Sequence, residues 1–409
     1  MMRSFGRSLL VLGAVVVCLG ACGDDDTSTT PPPGGVVGDP LKDAAPVVAN
    51  YAGNVHANYT DCLESAKAMK TAIDAFVAAP SEETLEAAKK AWIAARLPYG
   101  PSEAYRFYSG PIDNEEDGPE GQLNAWPLDE SFIDYTVETP DSGIINDAAF
   151  ELTRESIIGK NSEGDNEANV ATGYHAIEFL LWGQDTTEPS EKKPGARPFT
   201  DYTTEKNAER RKTYLTLVTD LLIDDLQSLV DAWAPGAENY AKTFAADPKV
   251  AIKDMLRGIG SMANGELAGE RMTVAYKLKS QEDEHSCFSD TTAADLRGNF
   301  LGIKNVYLGT YASRSGPGIT TLVAAVDAAL DTKVKSDLAA AEAAFDAIQA
   351  EPFDSAIMSD DDAPARKAVL TAIEATKTIA KDIPEVGAKL GISFTGDDIE
   401  EPSGPDAEL

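Results

Sequence analysis

The chain has 409 residues, with 68 acidic against 35 basic side chains, three histidines, four cysteines and a net charge of −33. That balance excludes nucleic acid and anionic lipid surfaces as partners, and it favours solubility and the attraction of cations. Roughly 365 residues remain beyond the N-terminal leader and tether described next, enough for two domains with a core each.

Arg3 and Arg7 precede a short apolar run, Leu9 to Leu19, which is too short to persist as a membrane-spanning helix. Leu19-Gly20-Ala21-Cys22 then reads as a bacterial lipobox. The expectation is a lipoprotein signal peptide over residues 1–21, cleavage before Cys22 and lipid on its sulfur. An ordinary secretory signal followed by a chance cysteine is the alternative. Two or more acyl chains hold a protein stably on a membrane. Residues 22–44, with Asp24-Asp25-Asp26, Pro31-Pro32-Pro33 and Gly34-Gly35, have little to bury and read as a disordered tether. The expected location is the cell envelope: the outer membrane facing the periplasm, or the cell surface. Cys18 leaves with the signal peptide. Cys62 and Cys287 remain as an even pair in an oxidising compartment, and a disulfide between them is expected. Two separate buried thiols, or Cys287 as a soft metal ligand, are the alternatives.

The body reads as helical nearly throughout. Ser81 is a plausible N-cap after Pro80, and Leu85, Ala88, Trp92 and Ala95 repeat at three or four residues until Pro98 marks a stop. Leu215, Val218, Leu222, Leu229 and Trp233 draw a second stripe, ended by Pro235-Gly236. Val369, Ile373, Thr376 and Ala380 draw a third, stopped near Pro384. Ile73-Asp74-Ala75 reappears as Val326-Asp327-Ala328, and the same offset carries Leu85 to Leu338, Ala88 to Ala341 and Trp92 to Phe345. Alanine-rich helices align by accident, yet one register held across two helices and their connection points to duplication. The expected fold is all-α: two pseudo-symmetric helical bundles, 45–235 and 236–395, with long ordered loops at their interface and an acidic tail at 396–409. The loops are Tyr99 to Tyr135 and Gln281 to Gly302, and long ordered loops in compact domains tend to be functional.

Between these stripes lies Gly173-Tyr174-His175-Ala176-Ile177-Glu178. On a helix, positions three apart share a face, so His175 and Glu178 would aim at one spot, as two metal ligands or an acid/base pair must. A bare His-x-x-Glu also arises by chance. It is not the His-Glu-x-x-His of the zinc peptidases, and two ligands close no zinc site.

The stretch from Gly173 to Asp185 resembles the Gly-x-His-x-x-Glu signature of the imelysin family, also catalogued as an M75 peptidase-like family. Three other stretches resemble it in the family's order. They are Ala94-Ala95-Arg96 to Asp113, Asn124-Ala125-Trp126-Pro127 to Tyr135, and Gly265-Glu266-Leu267-Ala268-Gly269-Glu270-Arg271 through Cys287-Phe288-Ser289-Asp290 to Gly309. They look closest to the family's iron-regulated branch and cover roughly residues 45 to 395. The resemblance implies a cleft between two bundles, a metal ion bound there (iron first, zinc as the alternative) and a role in iron uptake with an iron-transport membrane partner. The metal ligands to test are His175 and Glu178, with Glu103 and Asp129 from the loops; a mixed nitrogen and oxygen set suits iron. Arg106, Asp283, His285, Ser286 and Arg271 are expected around the cleft, with Glu266 and Arg271 as a supporting ion pair. After Phe288-Ser289-Asp290 the related branch continues Asn-Thr-His, whereas this chain has Thr291-Thr292-Ala293, so no ligand is assigned at position 293. An M75-type metallopeptidase is the alternative, with Glu178 as base, which removes it as a ligand. A metal-independent binding module using Trp126, Trp182, Arg96, Arg106 and Tyr108 is the third reading.

Overall fold

Ser81 starts its helix as the spacing predicts. Its side chain accepts from Thr84 N–H at 3.2 Å and Thr84 Oγ1 accepts from Ser81 N–H at 3.0 Å, closing a capping box. The computed structural model describes residues 39–396, 398–403 and 406–407. The signal peptide, Cys22 and all of the expected tether up to residue 38 lie outside the described residues, as does part of the acidic tail.

The described residues are mostly helical, with long irregular loops and one small hairpin. In order come α1 (Ala44–Ala78), α2 (Glu82–Ser102), α3 (Glu120–Leu123), α4 (Glu130–Ile133), α5 (Arg154–Ile158), α6 (Gly173–Trp182), α7 (Ala208–Trp233), α8 (Tyr240–Ala246) and α9 (Pro248–Ser261). The last continues without a break as a π-helix, Met262–Val274, into α10 (Ala275–Leu278). Then follow α11 (Thr292–Leu308), β1 (Thr310–Tyr311), β2 (Arg314–Ser315), α12 (Ile319–Val326), α13 (Ala328–Ala347), α14 (Phe353–Met358) and α15 (Pro364–Lys389). In the hairpin Thr310 pairs with Ser315 and Tyr311 with Arg314.

The apolar stripes form the core. Leu85, Ala88, Trp92 and Ala95 of α2 are buried, as are Leu215, Val218, Leu222, Leu229 and Trp233 of α7 and Val369, Ile373 and Ala380 of α15. α1 packs on α2 and α7, and α15 packs on α13, α9 and the π-helix. The two groups meet where α2 crosses α11. A Cβ on Gly100 would sit 3.0 Å from Gly298 Cα, so only paired glycines allow this approach.

Three expectations change. Pro98 does not stop α2, which runs through Pro98 and Pro101 to Ser102. A proline removes one helix hydrogen bond, and here other side chains hold the following turn. Asn58 Nδ2 donates to Pro98 O at 2.7 Å, Ser102 Oγ to Tyr99 O at 2.7 Å and Asn299 Nδ2 to Gly100 O at 3.1 Å. Pro384 likewise lies inside α15. The sequence echo holds only in part: Leu85, Ala88 and Trp92 of α2 and Leu338, Ala341 and Phe345 of α13 are all buried helical positions, but the offset places the α1–α2 connection at residues 79–81 onto residues 332–334, inside α13. Residues Asp39–Leu409 cluster as one compact unit.

Candidate metal centre

α6 is buried on every side. Its first residue, Gly173, has φ +88°, and a Cβ there would lie 2.5 Å from Leu123 O, so only glycine lets α6 begin against α3. Trp92 Nε1 donates to Tyr174 O at 2.9 Å and fixes the first turn.

His175 and Glu178 share one face, as their spacing predicts. Glu178 Oε2 lies 2.9 Å from His175 Nδ1, and both side chains are wholly shielded from solvent. Glu178 Oε1 accepts from Ser289 N–H at 2.9 Å and from Ser289 Oγ at 2.7 Å. Both carboxylate oxygens are therefore engaged, while His175 Nε2 is buried with no hydrogen-bond partner among the described residues. The His285 ring lies 4.7 Å from the His175 ring, centroid to centroid, and Trp126 lies 5.1 Å from it. His285 Nδ1 also lacks a hydrogen-bond partner among the described residues and stands 3.7 Å from Asp295 Oδ2.

Burial, with Arg96 and Arg271 nearby, pushes the His175 imidazole well below its usual range. Burial, with Arg271 and His175, does the same to His285. Both rings are neutral at pH 7, the form in which imidazole ligates a metal. Burial pushes the Glu178 carboxyl up to about 8, against the downward pull of the Ser289 hydrogen bond.

Around this pair runs a charged frame. Arg96 of α2 grips Asp295 of α11 through Nη2–Oδ2 at 2.7 Å and Nε–Oδ1 at 3.2 Å. Ser286 Oγ donates to the same carboxylate at 2.5 Å. Glu103 Oε2 accepts from Arg271 Nη2 at 2.6 Å and Arg106 Nη1 at 3.0 Å. Burial pushes the Glu103 carboxyl up, but Arg271 and Arg106 outweigh it and hold the group down at about 2. Arg271 Nε also donates to Glu266 at 3.0 Å, which makes the expected ion pair. The two residues are five apart, the spacing that a π-helix brings together. Outside this frame opens a cavity of about 530 Å³, lined by Arg106, Glu120, Trp126, Glu266, Arg271, Asp283 and His285 among others.

The structure thus joins His175, Glu178 and His285 in one place and puts Arg106, Arg271 and Asp283 on the cavity wall beside them. Ser286 sits behind, committed to Asp295. Glu103 is bound to two arginines. Asp129 caps α4, accepting from Ser131 N–H at 3.0 Å. Among the described residues Cys62 and Cys287 are separate, buried, free thiols, which corrects the expected disulfide between them. Cys62 lies in α1 beside Asn58, whereas Cys287 follows Ser286 in the loop before α11. Of the third reading's aromatics, Trp182 packs on Trp92 in the core and Tyr108 is tied to the Tyr51 hydroxyl. Sequence reasoning missed Asp295 and Glu120. Both lie within the loops and family stretches already singled out, Asp295 five residues after Asp290 and Glu120 four before Asn124, but no local pattern distinguishes them from the other carboxylates there.

The Imelysin family (Peptidase_M75) matches residues 55–383, and the chain belongs to that family. It is 25% identical over 263 residues to iron-regulated protein A of Synechococcus elongatus. That match covers 62% of this chain and 60% of the relative, so it spans less than two thirds of the relative's length. A crystal structure assigned as an iron-regulated protein A precursor of Parabacteroides distasonis matches with a TM-score of 0.66 at 23% identity, covering 87% of this chain and 97% of that one. An imelysin-like protein of Psychrobacter arcticum matches with a TM-score of 0.59 at 13% identity, covering 87% and 98%. These two structures establish the shared helical fold.

Proposed function

We propose that this protein captures a metal ion, iron first and zinc as the alternative, with His175 Nε2 at the centre of the site. One observation carries the reading: a fully buried imidazole nitrogen without a partner, on a ring whose other nitrogen is oriented by a carboxylate. A metal-bound histidine is usually held in this way, the carboxylate fixing which nitrogen carries the proton. Glu178 then orients His175, and Ser289 orients Glu178. His285 is the second nitrogen donor, and the cavity carboxylates Asp283 and Glu120 are the oxygen donors nearest in character to what iron accepts. Glu103 is less suited, because its charge already balances two arginines. Asp129 is occupied as a helix cap.

The family membership and the printed name of the Synechococcus relative support an iron-related role. In this reading the protein is tethered through lipid on Cys22 at the cell envelope and passes its ion to an iron-transport membrane partner. Peptidase chemistry draws no support from the geometry, since both Glu178 oxygens are engaged and the Ser286 hydroxyl is directed at Asp295.

The test is calorimetric titration of residues 39–409 with Fe(II), Fe(III), Zn(II) and Cu(II), beside His175→Ala and His285→Ala. Saturable binding by the parent that disappears in His175→Ala is expected. Equal binding by all three proteins would move the ion elsewhere, and no binding by any would end the proposal.

A further inference from the structure

A second group of oxygens lies outside the histidine site. Glu284 and Asp290, in the loop before α11, and Asp354, in α14, each present a carboxylate oxygen, and these three atoms lie within 4.8 Å of one another. Glu284 is wholly buried, and among the described residues both of its oxygens lack a hydrogen-bond partner. Both Asp290 oxygens and Asp354 Oδ1 are likewise buried and unpartnered. Asp354 itself is 2% exposed. Three carboxylates this close repel one another, and burial strengthens the repulsion. The neighbouring Asp185 adds a further negative charge, with its Oδ2 accepting from Gln281 Nε2 at 2.5 Å.

We infer that Glu284, Asp290 and Asp354 form a binding site for a hard divalent cation of the calcium class. The donor set is all oxygen, which selects calcium, magnesium or manganese over the softer ions that favour imidazole. Calcium fits best. It accepts six to eight oxygens at about 2.3–2.6 Å in variable geometry, whereas magnesium demands a near-ideal octahedron. Three carboxylate groups offer up to six oxygens. Such an ion would fasten α14 to the loop 284–290, which also carries His285 and Ser289. The inference does not depend on the proposed capture of iron at His175.

The experiment uses the full chain, stripped with a chelator and then titrated with calcium, magnesium and manganese while its melting temperature is followed. The parent protein should bind one calcium per chain and melt several degrees higher when loaded, with the shift reversed by EDTA. His175→Ala should keep that response. Asp354→Asn and Asp290→Asn should lose it, and in metal-free buffer they should melt at or above the parent, because a repelling charge is gone. That last reading also shows that the variants fold. A parent that binds none of the three ions overturns the inference, as does calcium binding unchanged in both variants. Stabilisation by lower pH alone, with no response to calcium, means that the cluster takes up protons instead of a cation and equally overturns it.

Discussion

Glu178 touches His175 with one carboxylate oxygen and Ser289, 111 residues further on, with the other. The carboxylate is therefore a spacer between a helix and a loop, and its value lies in the angle it gives the imidazole. Losing an orienting partner of this kind typically costs about 10–100-fold in metal affinity. Glu178→Gln and Ser289→Ala should each weaken the proposed site within that range, whereas His175→Ala should abolish it. Titration calorimetry on the three variants reads this directly. Complete loss in Glu178→Gln would make Glu178 a ligand.

The same pair predicts a pH dependence. With its carboxyl pushed up to about 8, Glu178 holds a proton towards His175 Nδ1 below that pH, and the imidazole proton then sits on Nε2. Above it, Nδ1 donates to the carboxylate and Nε2 offers a lone pair. An ion on Nε2 must displace one proton, so its apparent affinity should rise about tenfold per pH unit up to about pH 8 and level off beyond. Zn(II) titrations across this range, in buffers of different ionisation heat, count the proton. A flat profile with no proton released would refute the arrangement.

Glu103 bears on stability. Its folded carboxyl lies at about 2 against an ordinary 4.5, so the stabilisation is fully present above 4.5 and is lost as pH falls through 2. A shift of that size is worth about 3 kcal/mol. Glu103→Gln leaves Arg271 and Arg106 without their shared partner, and should cost about 3–5 kcal/mol at neutral pH. Urea denaturation of parent and variant should give stabilities that converge as the pH is lowered towards 2.

Gly173 makes the start of α6 specific. An alanine there would combine a left-handed φ with a Cβ against the Leu123 carbonyl, a strain of order 1–3 kcal/mol before the clash is counted. Gly173→Ala should lower the melting temperature by several degrees and weaken the proposed metal binding with it. An unchanged melting temperature would show that α3 moves aside freely.

Cys62 and Cys287, both buried, should escape a thiol reagent in the folded protein and react as two thiols once it is denatured without reductant. No reactive thiol in residues 39–409 would restore the disulfide.

How much of this was legible beforehand follows from range. His175 and Glu178 lie one helical turn apart, so periodicity alone placed them together. The stripes of α2, α7 and α15 were visible because burial repeats locally. Pro98 misled because α2 continues through it, with carbonyls of the following turn taken up by Asn58 and Asn299, both distant in sequence. Arg96 and Asp295 meet only because Gly100 and Gly298 bring α2 and α11 together, a contact 199 residues apart that no window of sequence contains. The cysteine pair misled for the opposite reason: an even count gives parity but no distance. The convergence of Glu284 with Asp354 was hidden likewise, since an acidic turn reads as solvated until α14 is seen to cover it.

The complete enclosure of His175 also has a bearing on speed. The cavity is lined by Trp126 and His285 but not by His175, so in the proposed reading an ion would pass those rings, shedding water, before it met Nε2. Under that proposal arrival and departure would both wait on movement of the two rings, and a bound ion would exchange slowly.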